Sequence, residues 1–386
     1  MWLLGWVSFF TDTASEIIYP LLPIFLTRVL GAGAMSLGVI EGIAEAANSA
    51  LKIWSGHFSD KTGAPKRLVL AGYGLSSAMR PLIAVTTGWT QILAVRFADR
   101  LGKGVRGAPR DAMLAVFAGA SNRGLVYGFH RAMDHAGAVL GPLLASLFLY
   151  FYPGEYRTLF GLTIIPGILV IIILAAVPEV TTRSSSQPPA RAANRRAPLP
   201  RDLYRALAPI LIFSLGNASD AFLLLRLSDL GVATFWIPLL WSALHVVKST
   251  ASVAGGHLSD RLGRRHVIAM GWTVYAAVYT AFGVFNTSAI VIPVFLVYGL
   301  YFGLTEGVEK AWVADLAAAE VRGTAFGVYN AVLGLGSLAA SLLFGVVWTR
   351  VSAPAAFYTG AALAAVATVL LYAAGPSSAR AEWSNV

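Results

Sequence analysis

Ionisable side chains recur inside the long apolar runs of this chain, where an ionised group costs roughly 3 kcal/mol to place in lipid. The most regular set is Glu41, Glu45, Asn48 and Lys52, whose spacings of four, three and four residues place them on one face of a helix. Side chains of these types can bind a charged solute or exchange protons. The pattern predicts a polar stripe that faces an aqueous cavity or another polar stripe.

A second stripe follows in Arg96, Arg100 and Lys103, again at helical spacing. Asp99 is expected to pair with Lys103, which is one turn away on the same helix. Salt bridges that contribute only to assembly remain the alternative for any single residue of the two stripes. Two long polar stripes together must either face an aqueous cavity or pack against each other.

Asp12 and Glu16 lie near the middle of the first apolar run, one helical turn apart. Asp12 comes about 10 residues into the run, which is about 15 Å at the helical rise and close to the centre of a hydrocarbon core about 30 Å thick. Repulsion between neighbouring acids in a poorly solvated site favours protonation of one of them. Arg100 can exchange partners between these acids and Asp134, so the predicted proton-coupling residues are Asp12, Glu16, Arg100 and Asp134. The alternative is that Asp12 or Glu16 only caps a helix break before Pro20.

Ten further side chains in the apolar runs are predicted to line a substrate cavity: Glu41, Glu45, Arg96, Lys103, Arg131, Asp220, Trp241, His245, Lys248 and Glu306. The cations among them predict a polar substrate that carries negative charge. Nearby aromatic residues such as Trp241 and Tyr301 also allow an amphipathic anion. Pairing of these cations with acids on the first two runs, which would leave a near-neutral cavity, stays open.

The composition places the chain in a membrane. Hydrophobic residues make up 57% of the 386 residues and charged residues 12%, with a mean hydropathy of +0.68. The net charge of +10 comes from short loops between apolar runs, so we do not expect nucleic-acid binding. The chain contains no cysteine, no phosphate-binding loop and no metal-binding or nucleophile motif. We therefore expect neither an enzyme nor a metal site, and no cofactor besides the coupling proton.

Apolar runs of about 20 residues give twelve candidate membrane spans. They cover residues 2–28, 36–57, 67–87, 89–107, 124–151, 158–177, 205–228, 234–257, 266–286, 289–312, 323–348 and 354–375. Six spans lie on each side of a basic stretch rich in proline and serine. We predict an N-terminal six-helix bundle (1–177), a flexible linker (178–204), a C-terminal six-helix bundle (205–375) and a tail (376–386).

The distribution of lysine and arginine predicts the orientation. Most of the basic loop residues follow even-numbered spans, and they include Lys61, Lys66, Arg67, Arg110, Arg123, Arg261, Arg264, Arg265 and Arg322. Cytoplasmic loops carry such an excess, so both termini are expected in the cytoplasm. The stretch from Met1 to Phe10 has no basic start and no cleavage site, and we interpret it as the beginning of the first span.

An octapeptide occurs twice, as Gly56–Gly63 (GHFSDKTG) and Gly256–Gly263 (GHLSDRLG), 200 positions apart and with five of eight residues identical. Each copy joins two apolar runs and is followed by basic residues, which is typical of a tight loop between two membrane helices. The aspartate of each loop can cap or pair with nearby helix ends and basic residues and so stabilise one closed arrangement of the helices. The predicted gating-loop residues are Gly56, Asp60, Gly63, Gly256, Asp260, Arg261, Gly263 and Arg264.

A second repeat links the fifth and eleventh spans. Gly128, Gly137, Gly141 and Pro142 in the fifth span are matched by Gly327, Gly336 and Ala340 at the same spacing in the eleventh. Glycines at such spacing permit close helix approach, and a proline weakens the helical ladder. Together the two repeats predict a duplicated six-helix unit.

The octapeptides resemble the loop signature of the major facilitator superfamily, Gly-x-Leu-Ala-Asp-Arg-x-Gly-Arg-Arg, which lies between helices 2 and 3 and again between helices 8 and 9. The second copy matches almost throughout, whereas Ala64 and Pro65 displace the basic pair in the first. The resemblance implies an all-α polytopic membrane protein with twelve transmembrane helices in two pseudo-symmetric six-helix bundles.

Two further resemblances bear on mechanism. Arg100-x-x-Lys103-Gly104 is similar to the helix-4 motif Arg-x-x-Gln-Gly, whose arginine is associated with proton coupling in that superfamily. The segment from Gly128 to Pro142 resembles the helix-5 motif of its proton antiporters, except that Ala145 and Ser146 replace the last two glycines. These resemblances imply proton-coupled efflux.

The expected function is secondary active transport of a small polar solute, anionic or amphipathic, by alternating access and proton antiport. A proton-coupled importer of an anionic solute and a non-transporting membrane receptor remain alternatives. The expected partners are a small-molecule substrate and the lipid bilayer. We expect a monomer in the inner membrane of a bacterium.

Overall fold

The computed structural model describes residues 1–62, 65–118, 123–179, 199–317 and 321–374. All regular secondary structure in these ranges is helical and forms twelve long segments. Residues 180–198 of the predicted linker and the predicted tail lie outside the described residues. The predicted all-α class is confirmed.

The first six segments are α1 (Trp2–Ile18), α2 (Ala34–Thr62), α3 (Pro65–Leu82), α4 (Trp89–Ala118), α5 (Arg123–Phe151) and α6, which consists of α6a (Tyr156–Leu162) and α6b (Ile164–Ala175). α1 is followed by irregular helical turns that run to Val29. These turns start where Pro20 and Pro23 remove backbone donors, at the position where the sequence predicts a kink.

The second six segments are α7, made of α7a (Arg201–Gly216) and α7b (Ala221–Asp229), then α8 (Trp236–Leu262), α9 (Arg264–Val284), α10 (Ser288–Leu316), α11 (Arg322–Arg350) and α12 (Ala353–Ala374). Among the described residues, eight helical stretches are long and apolar enough to cross a membrane. The other four segments, α1, α2, α4 and α8, carry many of the predicted cavity residues.

Each group of six helices packs mainly within itself. In the first group α4 packs on α2 and α3, and α5 packs on α1; in the second group α10 packs on α8 and α9, and α12 packs on α7a and α9. The two groups, called the N-half and the C-half below, meet along α2 with α11 and along α5 with α8. Because α2 is equivalent to α8 and α5 to α11, the two contacts are related by the duplication, as expected of two repeated units.

Glycines bring α5 against α1 within the N-half. A Cβ atom added at Gly137 would lie 2.4 Å from the Phe9 carbonyl oxygen, and one at Gly141 would lie 2.5 Å from the Thr13 carbonyl oxygen. The equivalent Gly336 of α11 approaches α7a in the same way, 2.3 Å from Cβ of Ser214. Gly137, Gly141 and Gly336 therefore serve helix contacts inside each half, whereas nothing lies within 4 Å of a Cβ atom added at Gly327.

One end of the molecule is closed by hydrogen bonds between the halves. Arg28 Nη2 donates to the Ser228 carbonyl oxygen at 3.0 Å, and Ser146 Oγ donates to the Phe235 carbonyl oxygen at 2.6 Å. Tyr156 and Thr234 are joined by a hydroxyl contact of 3.3 Å. At the opposite end, which carries the basic loops, the lysine side chains facing the interface are exposed. The halves therefore enclose a cavity that opens toward the basic loops.

Candidate functional site

A cavity of about 480 Å³ lies between the two halves. It is lined by side chains of α1, α2, α4, α7a, α8, α10 and α11 and by the segment between α7a and α7b. The predicted site residues that line it are Glu16, Glu41, Glu45, Arg96, Arg100, Lys103, Asp220, Trp241, His245 and Glu306. Asp12, Asp134, Arg131 and Lys248 lie outside this lining.

The interruption of α7 supplies part of the cavity wall. Residues 217–220 are not helical, and all four line the cavity. Asn217 Nδ2 donates to the Tyr301 hydroxyl at 3.0 Å, and the Ser219 backbone N–H donates to Ser341 Oγ at 3.3 Å. The predicted single span over 205–228 is therefore wrong at residues 217–220. The signal was Gly216-Asn217, a pair that ends helices, followed by Ser219-Asp220, a pair that begins them.

Glu16 connects the halves at the cavity floor, which is the closed side of the cavity. Trp241 Nε1 of α8 donates to Glu16 Oε2 of α1 at 2.7 Å. His245 Nε2 lies 3.9 Å from the same oxygen. The Trp241 ring also packs on Tyr19, with ring centroids 5.1 Å apart.

A second hydrogen bond also runs from the C-half to an acid of the N-half. Ser219, in the α7 interruption, donates from Oγ to Glu41 Oε2 of α2 at 3.3 Å, and the Tyr19 hydroxyl lies 3.2 Å from Ser219 Oγ. Trp241 is 200 residues after Glu41, the same interval that separates the octapeptides. Glu41 and Trp241 therefore occupy equivalent positions of the duplicated unit, and each makes a contact between the halves.

Acids neutralise several of the predicted cavity cations. Arg96 Nη2 lies 2.7 Å from Glu41 Oε1, and Arg96 Nη1 lies 3.9 Å from Asp99 Oδ2. Asp99 is buried and also pairs with Arg80 of α3 at 3.1 Å. The expected pair of Asp99 with Lys103 does not form, because Asp99 faces α3 and Lys103 faces the cavity.

Two more acids are already paired with lysine or arginine. Asp220 Oδ2 lies 3.3 Å from Lys248 Nζ. Glu306 Oε1 lies 3.1 Å from Lys310 Nζ on the same helix and 3.4 Å from Arg131 Nη2 of α5. The contact with Arg131 crosses between the halves, and both of its side chains are about half exposed.

Three cations that line the cavity have no carboxylate within 4 Å among the described residues: Lys52, Arg100 and Lys103. They lie on α2 and α4, which are close together here because Gly104 has no side chain. A Cβ atom at Gly104 would lie 2.6 Å from Cβ of Leu51. Glu45 also lines the cavity, where it accepts a hydrogen bond from Asn48 Nδ2 at 3.1 Å.

Asp134 occupies a separate place between α5 and α1. Its carboxylate accepts a hydrogen bond from Ser8 Oγ, and Oδ2 lies 3.5 Å from His130 Nδ1. Asp12 is one turn from Ser8 on the same helix. The structure thus separates the predicted proton-coupling residues: Glu16 and Arg100 face the cavity, whereas Asp134 faces α1.

The second octapeptide forms the turn between α8 and α9. Gly263 has a φ of +86°, which favours glycine, and it ends α8. Arg264 donates from Nη1 to Asp260 Oδ1 at 2.6 Å and from Nε to Asp315 Oδ2 at 3.2 Å, so the turn is tied to the end of α10. Arg261 is exposed, and nothing lies within 4 Å of a Cβ atom placed at Gly256.

In the first copy Gly63 lies outside the described residues, and Gly56 and Asp60 are described only as helical backbone. The same holds for Gly128 of α5. The proposed role of this loop therefore stays a prediction.

Comparison with known proteins identifies the family of this chain. The family model of the Major Facilitator Superfamily matches residues 4–247 and 227–385. The chain belongs to the major facilitator superfamily. It is an integral membrane protein of a family of transporters, not an enzyme, and the family resemblance of the octapeptides is confirmed.

Several relatives support this assignment. An uncharacterised MFS-type transporter of Methanocaldococcus jannaschii is 33% identical over 377 residues, which is 96% of this chain and 94% of the relative. The cis,cis-muconate transport protein of Acinetobacter baylyi is 25% identical over 304 residues, 72% of this chain and 70% of the relative. The multidrug resistance protein MdtH of Yersinia enterocolitica is 30% identical over 192 residues, 50% of this chain and 44% of the relative.

The fold is also that of solved superfamily structures. The nucleoside transporter NupG superposes with a TM-score of 0.76 over 96% of this chain and 97% of that one, at 14% sequence identity. This similarity concerns the fold.

Proposed function

We propose that this superfamily member exports a small amphipathic organic anion in exchange for protons, by alternating access. The observation that carries the proposal is the group of three unpaired cations, Lys52, Arg100 and Lys103, on one wall of the cavity among the described residues. An anionic headgroup between them forms charge-assisted hydrogen bonds that these side chains otherwise leave unmade.

The pairing of the other charges supports an anion. Glu41, Asp220 and Glu306 already have cationic partners within 4 Å, so they present little net attraction to a cationic solute. Glu45 on the same wall has no cationic partner within 4 Å among the described residues, so this wall carries three unpaired cations against one unpaired acid. An anion therefore gains the larger electrostatic stabilisation on this wall.

The C-half contributes apolar side chains to the cavity. They are Phe302 of α10 and Tyr329 and Leu333 of α11, the helix that packs against α2. An aromatic or conjugated portion of the substrate can pack on these side chains while its anionic group lies against the N-half. The similarity to a cis,cis-muconate transport protein supports a carboxylate-bearing solute of this kind.

Glu16 is the proposed point of proton coupling. Its hydrogen bond with Trp241 spans the halves, so the bond must break when the closed end opens. A carboxylate accepts this bond more strongly than a neutral carboxyl group does, since the ionised acceptor makes it charge-assisted. Proton binding to Glu16 therefore changes the relative stability of the two arrangements.

The proposal also includes the orientation of the protein in the membrane and the direction of transport. The cavity opens toward the basic loops, which by the excess of lysine and arginine face the cytoplasm. The resemblance of Gly128–Pro142 to the antiporter motif and the similarity to MdtH support export over import. We place the protein in a bacterial plasma membrane with cytoplasmic termini. Since one chain encloses the whole cavity, we propose a monomer.

Direct binding of three solutes of similar shape, each measured separately, tests the substrate class. Benzenesulfonate, benzenesulfonamide and phenyltrimethylammonium carry a phenyl ring with an anionic, neutral or cationic head. We expect calorimetry on the purified protein to give at least roughly tenfold tighter binding of the sulfonate than of the sulfonamide, as loss of one charge-assisted contact predicts. Preferential binding of phenyltrimethylammonium would overturn the assignment.

A further inference from the structure

Lys248 of α8 has surroundings unlike those of the three unpaired cations. Its ammonium nitrogen lies 3.5 Å from the centroid of the Phe302 ring and 4.9 Å from that of Trp241. The same nitrogen lies 3.3 Å from Asp220 Oδ2. Lys248 therefore ends in a compartment made of one carboxylate and two aromatic rings.

The walls of this compartment are held by contacts that do not involve Lys248. The Tyr298 hydroxyl, which is buried, donates to Asp220 Oδ1 at 2.7 Å and orients that carboxylate. Trp241 is fixed by its hydrogen bond to Glu16, and Phe302 packs against Tyr298 with ring centroids 5.1 Å apart. The compartment is therefore organised in advance of any occupant.

The compartment also borders the substrate cavity. Asp220, Trp241 and Phe302 all line that cavity, whereas Lys248 does not. The lysine side chain reaches the compartment from α8 and is largely covered, with 14% of its side chain exposed. Removal of the lysine would thus leave the carboxylate and both rings facing a space connected to the cavity.

A carboxylate combined with aromatic faces is the usual recognition site for an organic ammonium ion. The carboxylate supplies the counter-charge, and the rings attract the cation through their negative faces. Aspartate beside a lysine is by itself an ordinary ion pair. Here the position of the nitrogen over Phe302 shows that the rings also contact the charge.

We propose that Asp220, Trp241 and Phe302 form a binding site for a primary alkylammonium group, and that Lys248 occupies this site as a covalently tethered ligand. By filling it, Lys248 excludes organic cations from the cavity and restricts transport to anions. This second statement rests on the proposed function, whereas the existence of the site does not.

The variant Lys248→Ala tests the site directly. It removes three carbons and the ammonium nitrogen, a fragment equivalent to n-propylammonium. We expect K248A to unfold at a lower temperature than the wild type, and n-propylammonium to restore at least half of the lost Tm. The uncharged 1-propanol should restore none of it, and neither compound should change the Tm of the wild type.

A double variant serves as the control for the counter-charge. D220N/K248A keeps both rings but lacks the carboxylate, so n-propylammonium should not raise its Tm. Equal rescue of K248A and D220N/K248A, or equal rescue of K248A by 1-propanol, would overturn the proposal. Absence of any rescue in folded K248A would overturn it as well.

The absence of cysteine in the chain provides a second test that does not depend on the stability of K248A. In K248C the only thiol can be modified with aminoethyl methanethiosulfonate, which attaches an ammonium group close to the position of the lysine nitrogen. We expect this reagent to raise the Tm toward that of the wild type, and methyl methanethiosulfonate to leave it unchanged. Equal effects of both reagents would contradict an ammonium site.

Selectivity is measured with benzylammonium and benzenesulfonate. We expect the wild type to bind benzenesulfonate but not benzylammonium, and K248A to gain benzylammonium binding at least tenfold above that of D220N/K248A. If n-propylammonium stabilises K248A while the wild type does not bind benzenesulfonate, the site stands and the proposed function fails. If benzenesulfonate binds and K248A shows no response to either amine, the proposed function stands and this inference fails.

Discussion

Trp241 Nε1 donates a hydrogen bond to Glu16 Oε2 across the interface between the halves, at a distance of 2.7 Å. The two residues belong to α8 and α1, and both line the cavity. In the proposed alternating-access cycle these helices separate when the closed end opens, so the strength of the bond influences how long the cavity stays open toward the basic loops. An acid in this position can link proton binding to the conformational change.

Replacement of Glu16 by glutamine should uncouple transport from protons. The amide oxygen still accepts the hydrogen bond from Trp241, but the side chain no longer titrates. In proteoliposomes we expect E16Q to lose substrate accumulation driven by a pH gradient while substrate exchange continues. Asp12→Asn, measured alone and together with E16Q, shows whether the second acid of α1 shares this role. Gradient-driven accumulation that survives in E16Q, D12N and the double variant would transfer the coupling to Asp134, Asp220 or Glu306.

Loss of an unpaired cation should weaken anion binding more than loss of a paired one. Lys103 and Lys310 both line the cavity, but only Lys310 has a carboxylate within 4 Å among the described residues, Glu306 at 3.1 Å. We expect K103Q to raise the Kd for benzenesulfonate roughly tenfold, since a hydrogen bond to a charged group contributes about 1.5 kcal/mol. K310Q is the matched control and should change the Kd less than about threefold, as for an exposed pair. Equal effects of the two variants would show that the pairing has no influence on binding.

The turn between α8 and α9 should affect turnover rather than affinity. Asp260 pairs with Arg264, and Arg264 pairs with Asp315 at the end of α10, so the turn fixes the relation of two helices. D260N should lower the maximal transport rate roughly tenfold, which corresponds to about 1.4 kcal/mol in the barrier. The affinity should stay within a few-fold. D202N, which alters an exposed pair at the start of α7a, should leave both quantities unchanged. A large loss of affinity in D260N at unchanged rate would place the turn in substrate binding instead.

The contact of α5 with α1 should tolerate no side chain. In G137A the new methyl group would meet the Phe9 carbonyl oxygen at 2.4 Å, so we expect a lower Tm, in line with about 1–3 kcal/mol for overpacking. Gly327 of α11 is the control, because nothing lies within 4 Å of a Cβ atom added there. G327A should keep or slightly raise the Tm, as alanine favours a helix over glycine. The prediction is wrong if both variants shift the Tm equally.

The fold could be predicted from sequence because each apolar run by itself indicates a membrane span. The octapeptide, repeated after 200 residues, indicates that the six-helix unit is duplicated. Even so, α4 extends to Ala118, beyond the predicted end at residue 107, since the helix continues through the polar residues Arg110 and Asp111 into a second, short apolar stretch. The interruption of α7 at residues 217–220 does not appear in the apolar pattern, because the flanking residues are apolar enough to form one continuous span.

The pairing of the charges could not be predicted. Arg96 pairs with Glu41, 55 residues earlier, and Arg131 pairs with Glu306 of the other half. Such contacts depend on how helices are oriented about their axes, which helical periodicity along one segment does not determine. For this reason the sequence groups Lys248 with the other cavity cations, whereas the structure directs it to Asp220 and two aromatic rings.

Simultaneous measurement of proton and anion flux tests the central claim most directly. Benzenesulfonate stays ionised and does not cross bilayers unaided, and valinomycin with potassium can hold the membrane potential at zero. In proteoliposomes with an acidic interior, we predict uphill uptake of benzenesulfonate together with alkalinisation of the lumen, reported by an enclosed pH-sensitive dye. E16Q should show neither response but should exchange internal for external benzenesulfonate. Accumulation that requires an acidic exterior, or that proceeds without any pH gradient, would contradict proton-driven export of an organic anion.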